Sequence, residues 1–133
     1  MKRNVVVMLM AALAVAAWIV PAKASPTKRF DQTTQSCRIL TFHNSSWVSP
    51  GAKKFKESCK SCHYRSNDKG AKFLYAESKT MKGWQRVFFK KFSKCAKDGS
   101  WEKLSQEDLL EINDYLFRNA NNTYDPNDAE DCG

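Results

Sequence analysis

The chain has 133 residues, a formal net charge of +8 and 42% hydrophobic residues. That is one small domain's worth of sequence, and its first residues do not read as part of a folded core. The basic excess raises nucleic acid as a partner, an option that the amino-terminal segment argues against.

Lys2 and Arg3 precede an uncharged apolar run from Val5 to Val20, and Ala22-Lys23-Ala24 supplies the small-x-small pattern of a cleavage site before Ser25. Residues 1–24 therefore read as a secretory signal peptide rather than a membrane anchor, with no stable membrane insertion after cleavage. The expected location is the periplasm or an equivalent extracytoplasmic compartment. An exported protein rarely meets nucleic acid. Cleavage takes away three basic residues and no acid, and the remaining lysines, among them Lys53, Lys56, Lys60, Lys90 and Lys94, are spread among apolar residues. They read either as a solvated face or as a docking surface for acidic redox partner proteins.

Residues 25–48 contain Pro26, paired threonines and the run Asn44-Ser45-Ser46 without sustained periodicity, so they read as an irregular arm tied down by Ile39, Leu40, Phe42 and Trp47. Residues 49–133 form the main domain and its tail. Ser49-Pro50 starts a helix that runs to about Cys62, with Gly51, Phe55 and Cys59 on one face. Residues 64–79 read as a polar loop carrying Phe73, Leu74 and Tyr75. A second helix is expected from Thr80 to about Lys94, with Trp84, Val87, Phe88 and Phe92 at helical spacing. Phe88 and Phe89 cannot both face inward, which leaves one for a subunit interface. The third helix is marked by a capping box, Ser105 and Asp108, and by the stripe Leu109, Ile112, Tyr115, Leu116. An Asn/Asp-rich tail follows Asn119. Nothing recommends a strand.

The chemistry concentrates in "ESCKSCHYR", Glu57 to Arg65. Two residues between Cys59 and Cys62 let one turn present both sulfurs to a porphyrin edge as thioethers, and His63 then serves as the proximal ligand of one covalent haem c. A zinc site wants a second ligand pair, and no second C-x-x-C exists. A thioredoxin-like dithiol wants alternating strands and helices, which the pattern lacks.

Together these pieces resemble a class I cytochrome c, over roughly residues 49–119. The resemblance implies an all-α fold of three main helices around one covalently bound haem c, with the glycine of the first helix crossed by the last helix, here Gly51 against Ile112 and Tyr115. It also implies a methionine as distal ligand in the loop before the final helix. Here Met81 lies at the start of the middle helix, whereas Cys95 occupies the place of that loop. Cys95 is therefore the preferred distal ligand and Met81 the alternative; His43, the other histidine, lies upstream in the arm. With Cys95 on iron, Cys37 and Cys132 remain to pair as a disulfide; the competing arrangement pairs Cys95 with one of them.

A His/Cys haem of this size is similar to small cytochrome subunits of anaerobic ammonium-oxidising bacteria. The likeness implies one-electron transfer in anaerobic respiration at low potential, by a carrier rather than an enzyme, as a homo- or heterodimer with a homologous cytochrome. Two alternatives stand beside it: a redox-gated binder or sensor of nitric oxide or carbon monoxide, and a subunit of a sulfur-compound-oxidising enzyme. Trp101 reads as a core tryptophan or as a partner of a haem propionate.

Overall fold

The computed structural model describes residues 27–122. The signal segment, the carboxyl-terminal tail and Cys132 lie outside the described residues. Within them no helix is long and apolar enough to cross a membrane.

The amino-terminal arm overturns the all-α expectation. It is an antiparallel hairpin of β1 (Thr27–Asp31) and β2 (Ser36–Leu40), which makes the fold mixed α and β. The register pairs Arg29 with Arg38 and Phe30 with Cys37. The turn between the strands is held by Thr33 N donating to Asp31 Oδ1 at 2.9 Å, and Gln35 takes the left-handed conformation that closes it.

What hides this hairpin from a pattern search is an inverted face. Its inward side carries charges: Arg29 and Asp31 have side chains 1% exposed, while Phe30 and Ile39 point outward at 52% and 59% exposure. The charges are matched by a partner far along the chain. Arg29 donates to Asp31 and to Asp114 at 2.9 and 2.8 Å, and Arg38 donates to Asp114 through Nε at 3.1 Å and again through Nη2. The Arg29 guanidinium also lies 5.0 Å from the centre of the Phe117 ring. Two arginines against two carboxylates neutralise one another, the condition under which burying charge is tolerable.

A four-residue turn of helix, α1 (Phe42–Ser45), leads into α2 (Pro50–Lys54). Ser49 Oγ accepts from Ala52 N, and Pro50 occupies the first helical position, where its missing N–H costs nothing. Further along come α3 (Met81–Lys90), α4 (Lys94–Lys97) and α5 (Gln106–Arg118). Helix α3 is capped by Thr80 Oγ1, which accepts from Gly83 N, and it stops before the predicted Lys94 because Lys91 turns left-handed. Helix α5 starts as expected, with the reciprocal capping box of Ser105 and Asp108 at 3.0 and 2.9 Å.

Helices α2 and α5 cross at Gly51. A Cβ built there would lie 2.6 Å from the carbonyl carbon of Glu111 and 3.0 Å from Tyr115 Cβ, so only glycine lets the two backbones meet. The core behind this crossing joins Phe55, Trp84, Val87, Phe88, Ile112 and Leu116. The Trp84 indole donates to Ala76 O at 2.6 Å, which ties α3 to the loop that precedes it. As the spacing requires, Phe88 is buried at 6% while its neighbour Phe89 stays 46% exposed.

Candidate haem site

The site begins on one widened helical turn. Beyond Lys54 the helix opens over Phe55–Cys59, where Lys60 N reaches back five residues to Phe55 O at 3.0 Å. Cys62 N and His63 N then both donate to Cys59 O, at 3.2 and 2.9 Å. Such π-turns recur at functional sites because the extra residue re-aims the side chains that follow. Here Cys59, Cys62 and His63 come to line one cavity of about 330 Å³, walled by apolar groups that include Phe55, Trp84, Val87, Phe88, Leu104 and Leu116.

His63 is oriented from behind. Its Nδ1 lies 2.7 Å from the carbonyl oxygen of Lys72, and since a carbonyl can only accept, Nδ1 carries a proton. Nε2 is thereby left as the ring nitrogen for a ligand, the arrangement usual for a metal-binding histidine. The Lys72 carbonyl is itself placed by a loop that Asn67 organises: its Nδ2 donates to Tyr64 O and Ala71 O at 2.9 and 2.6 Å, and its Oδ1 accepts from Lys69 N and Ala71 N. Gly70 is left-handed at φ 65°, which completes that turn.

Cys95, on α4, lines the same cavity. Its side chain, chiefly, raises the His63 pKa; burial opposes it and the Lys72 carbonyl adds to it. Burial pushes the Cys95 thiol up, yet the neighbouring His63, the Ser93 hydroxyl and Trp101 together outweigh burial and hold it below its ordinary value. Cys59 behaves oppositely. Burial, with the neighbouring Cys95 and Cys62 sulfurs, pushes it up to about 12, so it is a neutral thiol at any physiological pH. The cavity thus holds one sulfur whose pKa is drawn down beside one whose pKa is pushed up.

The other candidates fall elsewhere. Met81 packs, half-buried, against the core and does not line the cavity. His43 is exposed on α1, and Cys37 is exposed on the outer face of β2, where it forms no disulfide among the described residues. Among those residues no group of three or more His, Cys, Asp or Glu gathers to cage a bare ion. A porphyrin brings four nitrogens of its own, so two protein donors suffice. Sequence reading missed Ser93 and the Lys72 carbonyl, and it gave Trp101 a different role; of these, only the turn chemistry around Asn67 and Gly70 had left a signal.

No family model, curated protein or solved structure matches this chain.

Proposed function

We propose that the protein is a monohaem c-type cytochrome that carries single electrons in an extracytoplasmic compartment, with Cys59 and Cys62 as thioether anchors and His63 and Cys95 as axial ligands. One observation carries this reading: of the described cysteines and histidines, those four line one apolar cavity, and Cys95 raises the pKa of His63 within it, whereas Met81, His43 and Cys37 are not on its wall. The donor set fits the group. Two sulfurs sit on one turn for the porphyrin edge, an imidazole is held by its far nitrogen, and a third sulfur, Cys95, has its pKa drawn down towards the anionic form that binds iron. Lys69, Lys72, Lys79 and Lys94 also border the cavity and suit carboxylate substituents of a porphyrin.

The bound haem would supply the one-electron couple. The chain's residues would fix its orientation, exclude water through the aromatic and aliphatic wall, and supply two donors, His63 and Cys95, to its iron, which favours transfer over catalysis. Thiolate ligation favours the ferric state and a low potential.

Mass spectrometry of the exported protein should show one covalently added haem, lost as an intact adduct when Cys59 and Cys62 are replaced. Electron paramagnetic resonance of ferric wild type, Cys95→Ala and Met81→Ala separates the ligands. A thiolate signature that vanishes in Cys95→Ala and persists in Met81→Ala is expected. The reverse would make Met81 the ligand.

A further inference from the structure

Ser93 stands at the amino-terminal cap of α4, in the extended conformation (φ −61°, ψ 149°) from which a serine ordinarily accepts a hydrogen bond from the helix backbone. It makes no such bond. Its Oγ lies instead 3.4 Å from Cys95 Sγ, two residues on. A capping residue that forgoes its cap for a sulfur has its hydroxyl assigned elsewhere. A second side chain stands on the same cavity wall: the Trp101 indole helps to draw the Cys95 thiol pKa down, and its ring is fixed by stacking on the buried Phe88, with centroids 5.2 Å apart and planes inclined by 24°. The tryptophan therefore cannot turn away without disturbing the core. The two side chains come from either side of Cys95 in the chain, one before α4 and one beyond Gly99, so the sulfur is flanked from two independent backbone segments.

We propose that Ser93 and Trp101 are positioning residues that donate hydrogen bonds to the Cys95 sulfur, draw charge from it, and set the potential of the bound haem above that of an otherwise bare cysteine ligand. The inference rests on the reading of Cys95 as an iron ligand. A thiolate sulfur can only accept, so both hydroxyl and indole point their protons at it, and each bond reduces the charge the sulfur passes to the metal. Charge donation by the axial ligand stabilises the ferric form, so removing a donor shifts the couple downward. The same bonds hold Cys95 in place on a helix of only four residues.

The test is a potentiometric titration of the haem-loaded protein followed optically, with ferric electron paramagnetic resonance spectra of each variant. Ser93→Ala and Trp101→Phe should each lower the midpoint potential and alter the thiolate spectrum without abolishing it. Ser93→Thr, which keeps the hydroxyl, should restore the wild-type potential. Unshifted potentials in both Ser93→Ala and Trp101→Phe, with the thiolate signature retained, would overturn this inference and leave the ligand reading intact. A wild type without any thiolate signature overturns the ligand reading first, and this one with it.

Discussion

Replacing Gly51 by alanine tests the crossing on which the domain is built. The added methyl would meet the Glu111 carbonyl carbon at 2.6 Å and Tyr115 Cβ at 3.0 Å. The first of these is backbone of α5, which cannot rotate out of the way as a side chain tip would. Overpacking costs about 1–3 kcal/mol, and a clash with backbone belongs at the upper end. Alanine in place of glycine inside a helix returns roughly 1 kcal/mol. The net is a loss of about 2 kcal/mol, which for a domain of roughly 100 residues lowers Tm by about 8–16 °C. Thermal unfolding followed by far-ultraviolet circular dichroism measures it. Lys53→Ala, on an exposed position of the same helix, should move stability by no more than about 0.5 kcal/mol. A Gly51→Ala protein as stable as wild type would mean that α2 and α5 do not touch there, and the core behind them would have to be drawn differently.

Asp114→Asn should cost about 3–5 kcal/mol in urea unfolding, because it leaves the buried Arg29 short of its counter-charge, and the hairpin turn at residues 32–35 should become the first site of proteolysis. Asp108 is held below the usual aspartate range by the Ser105 backbone N–H and then by Lys54. Its contribution is thus present above the unfolded value of about 3.9 and is lost as pH falls through the depressed folded value. The stability gap between wild type and Asp108→Asn should accordingly be open at neutral pH and close in that acid window, as read by denaturation at a series of pH values. Reduced Cys95→Ala should bind carbon monoxide, seen as a shifted Soret band, whereas reduced wild type should bind less than a tenth as tightly if Cys95 holds its place. Equal affinity in the two would remove Cys95 from the axial position.

Much of the helical part was legible because local chemistry decided it. Ser49-Pro50, Thr80 and the Ser105–Asp108 pair each place a helix start where the structure has one, since a cap satisfies backbone donors within three residues of itself. The close approach at Gly51 was expected from the cytochrome resemblance, and the structure shows the α5 backbone against it. That Cys59, Cys62, His63 and Cys95 belong together was read from the Cys59–His63 spacing and, for Cys95, from the cytochrome resemblance; the structure brings all four to one cavity. The hairpin was not legible. Strand recognition relies on apolar side chains alternating toward a core, and here Arg29 and Arg38 face inward because Asp31 and Asp114 receive them, a match that no local window contains. The end of α3 was misplaced for a similar reason: a left-handed lysine, Lys91, does what a glycine usually signals. Ser93 drew no notice in the sequence, and only its distance to sulfur sets it apart.

The bond between Arg29 and Asp114 joins residues 85 positions apart. A loop of that span is slow to close, since its entropy must be overcome before the contact returns anything. A chain emerging from its amino end must keep Arg29 hydrated until nearly the whole domain has followed, so this lock shuts after the walls formed by residues 55–104 can assemble. The turn bearing Cys59 and Cys62 would be reachable from outside during that interval, which is when the covalent attachment proposed for both sulfurs would be easiest to complete.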